Sequence, residues 1–475
     1  MTEDIRVFRQ ERKTAREAVS AVPGVTAGAG CKREDGRRSH PLDNKSDKKD
    51  NVFRSRNFRL VFLGALVSQL GALLYSFAVG FYILQISNNN AFLQGLYLAL
   101  CGAAMLIVTP VGGVLGDRFN KAKIMYVCDY LKGGIIILAT ALMLLFREAD
   151  AHITILFTLG IAGNIISGLF NPAAGALLPH IVEADQLQQG NAYFSIKNSL
   201  EGIVGVVLAG ILYAALPIHT LFFLIGACYI ASGISEMLIR YDHTLPAEQL
   251  TLRSAVRDMG DGLRYLKEKK AILALLGTIL FINFFFAPVG SNFIPFFVRT
   301  DLAGAGSYLL DKVLTPELWS SVISVCIGIG SLAGAAMLSS RKPAEKIGHQ
   351  VAVFVCMDAV LMVFLSLSYW LAVDRGSALN LFLVSLAAGC LVCGVLNAWI
   401  NIPISTALMR IVDRDKLSKV NSIISIGSQG MIPVASVLAG AVLQSFGASA
   451  LLFVCTAGFT VTALLMLMSK SLREL

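Results

Sequence analysis

The chain repeatedly runs for twenty or so mostly apolar residues without a charged side chain, as in "LYLALCGAAMLIVTPVGGVL" from Leu96 to Leu115 and "LLFVCTAGFTVTALLMLM" from Leu451 to Met468. About 20 such residues in a helix cross the ~30 Å hydrocarbon core of a bilayer. A helix is also one of the few backbone forms that satisfies all its own polar groups there. The pattern predicts twelve spans, near 58–84, 91–115, 124–146, 153–178, 193–215, 218–239, 271–298, 318–340, 347–372, 378–403, 421–443 and 447–469. Composition agrees: 15% of the residues are charged and the mean hydropathy is +0.68, against roughly a quarter charged in soluble domains.

A net charge of +9 would ordinarily raise nucleic acid as a partner. Its distribution points elsewhere. Of the Lys and Arg outside the spans, only Arg147, Arg299, Lys312 and Arg375 fall in the even-side loops; all the others lie with the termini. That asymmetry predicts that both termini are cytoplasmic and leaves no nucleic-acid surface to expect. The nine cysteines are scattered, mostly in apolar spans. Cys390 and Cys393 form a CxxC with no nearby His or acid, which reads as packing rather than a metal site. Residues 1–57 are polar and without an apolar run, which predicts a disordered cytoplasmic tail and no signal peptide. No Walker sequence, nucleophile–base set or metal cluster stands out, so neither a cofactor nor an enzymatic activity is expected.

One phrase occurs twice. "IVEADQLQQGN", Ile181 to Asn191, returns as "IVDRDKLSKVN", Ile411 to Asn421, 230 positions on. The register continues without a gap to Leu208-Ala209-Gly210 against Leu438-Ala439-Gly440. Two halves in the same orientation follow, 58–240 and 271–470, joined by a charged linker at 241–270. Parallel repeats are a transporter architecture, with the substrate between them near the midplane. Within the phrase, Asp185 and Asp415 are placed to cap the following helices.

"GGVLGDRFNKAK", Gly112 to Lys123, joins the second and third spans. It resembles the signature loop of the major facilitator superfamily, through Gly113, Leu115, Gly116, Asp117, Arg118 and Lys121. Asn120 stands where the family has glycine and also tolerates a left-handed turn. "VSQLGALLYSFA", "CDYLKG" and "FNPAAGALLPHIV" narrow the likeness to the branch with macrolide efflux pumps and enterobactin exporters, of the drug:proton antiporter type. The resemblance implies an all-α membrane protein, twelve transmembrane helices in two six-helix bundles, and a cytoplasmic gate where Asp117 faces the start of the eleventh span. The second copy of the phrase carries Arg414 and Lys416, the first Glu183 and Asp185. The loop opposite the first, "GAAMLSSRK", has lost the acid and offers Arg341 and Lys342. Two gate contacts of opposite polarity are therefore expected. One departure weakens the antiporter likeness: the family's Gly-Pro in span five is Gly205-Val206 here.

Ionisable groups inside spans are costly and point to function. Lys197 and Glu201 share a helix face at i, i+4, which predicts either a self-satisfied pair or a proton-coupling acid tuned by its lysine. Asp129, a further coupling candidate, reads first as part of a fixed network with the signature loop and only second as a proton-transfer group. Asp358 matches it in the second half; Lys132 is a basic neighbour, and Glu236 is expected to pair with Arg240. Candidate cavity residues are polar and uncharged or aromatic: Gln69, Tyr75, Asn164, Asn283, Phe285, Asn292 and Asn397. The expected protein is a monomer in the lipid bilayer of the cell (inner) membrane, exporting a bulky amphipathic molecule against protons. A lipid or lysolipid transporter, and a transport-inactive scaffold recruiting a partner through residues 1–57, remain open alternatives.

Overall fold

In a computed structural model the chain is described over residues 52–183, 186–240, 269–339, 347–376, 378–412 and 417–469, with isolated positions between 257 and 266. The first half contains α1 (Arg56–Ile86), α2 (Ala91–Arg118), α3 (Lys121–Leu145) and α4 (Ala149–Ile181). It continues with α5 (Leu187–Leu200), α6 (Val206–Ala215) and α7 (Ile218–Met237). A π turn, Glu201–Gly205, makes α5 and α6 one crossing. The second half has α8 (Lys270–Pro288) and α9 (Ile294–Phe297), separated by a π turn at Val289–Phe293. Then follow α10 (Pro316–Ser339), α11 (Ile347–Tyr369), α12 (Leu379–Ile411) and α13 (Leu417–Met468).

Eleven helical stretches among the described residues are long and apolar enough to cross a membrane. The last, Ile426–Met468, has 43 residues, about twice what one crossing needs. Its backbone leaves the helical region at Gly447, φ +83° and ψ 178°, a conformation that only glycine adopts readily. This single residue turns the stretch back on itself, so the twelve spans read from the sequence are recovered as twelve crossings.

The duplication is visible in helix limits. Both α4 and α12 have 33 residues, and Ala149 and Ile181 stand 230 positions before Leu379 and Ile411. The same offset separates the starts of α5 and α13, Leu187 and Leu417. Helix propensity alone does not conserve boundaries this way; the repeated phrase ends one helix and starts the next in each copy.

Within the first half, α2 packs on α4, α3 on α4 and α7, and α1 on α7. In the second, α10 packs on α12, α8 on α13, and α11 on both α12 and α13. Two seams join the halves, α2 with α13 and α6 with α10. Glycines make the first seam close. A Cβ on Gly95 would lie 2.3 Å from the Ser436 carbonyl oxygen, and one on Gly440 would lie 2.6 Å from that of Ala91. Gln444 Oε1 accepts from the Ala91 N–H at 3.0 Å. At the second seam Ser321 Oγ donates to the Val206 carbonyl at 2.9 Å, beside Gly210. Close approach through small residues is the usual way helices associate in lipid, where burial of apolar surface drives little. All these contacts lie at the end of the bundle away from Arg56, where α1 begins.

Three local expectations change. Asn120 is not left-handed: with φ −60° and ψ 116° it caps α3, its side chain accepting from the Lys123 N–H at 3.1 Å. A short polar side chain that can take an N–H is what the position requires. Helix α5 begins with Gln186 at its cap, one residue after the expected Asp185, which lies outside the described residues, as does Asp415. The polar N-terminal segment also acquires structure earlier than expected. Val52–Arg54 forms a 3₁₀ turn, the Val52 N–H donates to Gln189 Oε1 at 3.1 Å, and the Phe53 ring meets Tyr193 at 4.6 Å.

Candidate transport site

A cavity of about 290 Å³ opens between α1, α2, α3, α4 and α7, at the lower end of the ~300–1,000 Å³ of small-molecule sites. Tyr75 from α1 and Tyr97 from α2 meet there hydroxyl to hydroxyl at 3.1 Å. Helix α4 presents Gly160, Gly163, Asn164 and Ser167 on one face, a spacing that follows helical periodicity. The small residues make room. Tyr97 fits only because Gly160 has no side chain, since a Cβ would lie 2.5 Å from the tyrosine oxygen. Asn164 Nδ2 donates to the Gly160 carbonyl at 2.9 Å, which leaves its amide oxygen for other donors.

Among the described residues that line the cavity, the one cation is Lys132 on α3. Its ammonium sits 5.0 Å from the Phe170 ring centre and 5.3 Å from that of Tyr229. Rings at that range replace part of the lost hydration. One turn back on α3, Asp129 is fully buried, and on α7 so is Glu236. None of the four carboxyl oxygens has a hydrogen-bond partner. Glu236 is therefore not held by Arg240, which is exposed and whose N–H goes instead to Asn57 Oδ1 at 3.1 Å. Asp129 faces α7 rather than the signature loop. Both acids act electrostatically on Lys132.

The remaining sequence-predicted residues fall in other places. Of the cavity candidates, Tyr75 and Asn164 line it and the other five do not. Gln69 is exposed on α1. Asn283 Nδ2 is turned back onto the Ile279 carbonyl at 2.9 Å. Phe285 packs its ring into the space left by Gly458. Asn292, fully buried, donates to the Ser436 carbonyl at 3.2 Å and so ties the π turn to α13. Asn397 is exposed and accepts from Asn401 at 3.2 Å. Lys197 and Glu201 form a closed pair, with the ammonium 2.9 and 3.1 Å from the two carboxylate oxygens and about 5% of each residue exposed. The pair adjoins the π turn that packs on α10 and α1, near the seam and away from the cavity wall.

For the expected gate, Arg341, Lys342, Arg414 and Lys416 lie outside the described residues, as do Asp185 and the Asp117 side chain. Arg118 and Glu183 are exposed, whereas Lys121 is buried. A Cβ on Gly113 would meet nothing within 4 Å, while one on Gly112 would lie 2.4 Å from the Gly168 carbonyl oxygen. Helix packing therefore requires Gly112, the neighbour of the motif glycine. Sequence reasoning missed Tyr97, Cys101 and Ser167 as cavity residues. The Gly160–Gly163–Asn164–Ser167 face was the available signal.

Helices long enough to cross a membrane, arranged in two repeated halves that meet along glycine seams beside a polar and aromatic cavity, define a polytopic transporter of the two-bundle class. The model of the Major Facilitator Superfamily matches residues 61–432, and the chain belongs to that family. Among relatives, the MFS-type transporter YkuC of Bacillus subtilis is 23% identical over 66% of this chain and 71% of its own length. The putative bacilysin exporter BacE of Bacillus subtilis is 26% identical over 49% of this chain. Macrolide efflux protein A of Streptococcus pyogenes is 21% identical over 50%. The matches span 54% and 57% of the lengths of those two exporters. Among solved structures, a bacterial homologue of the iron transporter ferroportin in its inward-facing state superimposes with a TM-score of 0.64, at 14% identity over 87% of this chain and 98% of its own. A D-xylose–proton symporter gives 0.63 at 13% identity, covering 88% and 97%. At these identities the structures speak for the fold alone.

Proposed function

We propose that this chain is a secondary active transporter of the cell (inner) membrane, with cytoplasmic termini, that exports a bulky amphipathic molecule of the drug, macrolide or siderophore kind in exchange for protons. The observation that carries the reading is the cavity in the first half, lined by Tyr75, Tyr97, Asn164 and Lys132 beside seams closed at the far end. Such a cavity offers rings for an apolar body and a few polar groups for orientation. Exporters among the relatives of the chain support the direction. Closure at the end away from the start of α1 is the arrangement in which a cytoplasmic substrate would enter, and rocking of the halves would then open the other side.

The test is efflux of a lipophilic fluorescent cation from proteoliposomes holding the full chain. Under this reading an imposed pH gradient accelerates efflux, and Asn164→Leu, which fills the cavity, removes the acceleration. Efflux indifferent to the gradient would overturn proton coupling. Absence of any carrier-mediated flux, with the protein folded, would favour the scaffold role instead.

A further inference from the structure

Two carboxyl groups without hydrogen-bond partners act on the Lys132 ammonium, Asp129 from one turn back on α3 and Glu236 from α7, and the proposed exchange needs a place where a proton and a substrate exclude one another. We propose that Asp129 and Glu236 hold the exchanged proton, and that a substrate entering the cavity releases it by pushing the Lys132 ammonium off the Phe170 and Tyr229 rings onto the two acids. The inference rests on the antiport reading and supplies its coupling step.

The surroundings favour a proton over a fixed ion pair. Asp129 and Glu236 are both 0% exposed and all four of their oxygens lack a hydrogen-bond donor, an arrangement that is costly for a bare carboxylate. Ser232, which lies beside Asp129, gives its single hydroxyl proton to the Gly64 carbonyl at 2.9 Å. Helix α3 adds Cys128 and Lys132, α7 adds Tyr229, and α1 adds Gly64, close to the Glu236 side chain, and Tyr75. Helix α4 adds only the Phe170 ring.

Lys132 has two resting places. Over the rings it is part of the cavity wall; along its own helix it can turn back towards Asp129, three residues earlier. A lipophilic or cationic substrate competes for the same ring faces. The ammonium then moves beside the acids, where a nearby positive charge favours their ionised form. One O–H bond breaks, its electron pair stays on the carboxylate, and the proton passes to water. Glu236 is the next-to-last residue of α7, so the exit is short and lies at the end of the bundle where α1 begins. That is the side from which a substrate for export would enter. The Lys197–Glu201 pair is uninvolved, since each partner already neutralises the other.

The experiment is infrared difference titration of the purified full chain in nanodiscs, following the carbonyl stretch of protonated carboxyl groups, with tetraphenylphosphonium as the probe cation. Asp129→Asn and Glu236→Gln should each remove a titrating component that Glu201→Gln leaves in place. Lys132→Met should move its midpoint up by about one pH unit. Saturating tetraphenylphosphonium should move the wild-type midpoint down by a similar amount and leave Lys132→Met unmoved. A component that survives in both acid variants, or that answers to sodium rather than to pH, overturns the proton site. If an acid variant fails to fold, an unshifted midpoint in Lys132→Met overturns it equally. Bound probe, verified by intrinsic fluorescence quenching, with no shift of the midpoint overturns the displacement. Absence of probe binding sinks the export reading, while the Lys132→Met midpoint still decides the proton site.

Discussion

Gly95→Ala should open the seam between α2 and α13. The added methyl carbon would sit 2.3 Å from the Ser436 carbonyl oxygen and 3.2 Å from the Gly440 Cα. Ordinary contact is a full ångström longer than the first of these, and both obstacles are backbone. Neither can rotate away, so the helices must part by about 1 Å or the state must change. Overpacking of this kind costs about 1–3 kcal/mol. It falls on the closed seam alone, because an open seam has no such contact, so the variant shifts a population rather than destabilising both states. At 1.4 kcal/mol per tenfold, the closed fraction relative to the open one should fall roughly 5- to 150-fold. The reporter is Ser436→Cys, at a position 1% exposed in the closed arrangement. It is alkylated in intact cells with an impermeant maleimide and compared with protein lacking that cysteine. Alkylation should rise at least about fivefold in the Gly95→Ala background. An unchanged rate in a protein of normal thermal stability would show that this seam does not govern access from the far side.

Glu201→Gln strands the buried Lys197 ammonium and should cost about 3 kcal/mol, seen as an earlier detergent melt, whereas Lys197→Met with Glu201→Met should recover most of the loss; a double variant as unstable as the single one would contradict the self-neutralised pair. Tyr75→Phe removes the hydroxyl contact with Tyr97 at 3.1 Å and should weaken dye transport by about 1 kcal/mol in kcat/KM, roughly fivefold, with an unchanged melt. Gly447→Ala places a methyl on a backbone at φ +83° and should destabilise by about 1–2 kcal/mol. Gly113→Ala, with nothing within 4 Å of its new carbon, should leave the melt where it was.

Much of the scaffold was legible because lipid leaves a sequence few choices. Span length and the repeat at 230 positions each read a single physical constraint, and helix limits at 149–181 and 379–411 follow the repeat to the residue. The site was less legible, because the same residue type serves packing and chemistry alike. Asn292 and Asn164 look equivalent in sequence. One spends its amide across a helix contact with Ser436, and the other leaves an oxygen in a cavity. Glu236 has an arginine four residues away in the sequence, yet at the end of α7 the Arg240 backbone is held by Asn57 and its side chain faces outward. Only the packing of α3 on α7 brings Glu236 to Asp129.

The two halves depart from their symmetry at the buried charges. Asp129 and Asp358 occupy matching helices and both are buried, but their neighbours differ. Three residues after Asp129 comes Lys132; three after Asp358 comes Leu361. Asp358 meets the Cys393 thiol from α12, a weak neutral donor that can satisfy a carboxyl group and carries no charge to displace. The positions of Lys197 and Glu201 are filled in the second copy by Gly427 and Met431. The second half thus keeps the helix limits and the seam glycine Gly440, and it lacks each buried cation found in the first. A device in which a substrate moves a charge requires such a cation within reach of both a cavity and an acid. Only Lys132 meets that condition among the described residues, which is why the proposed proton release is placed in the first bundle.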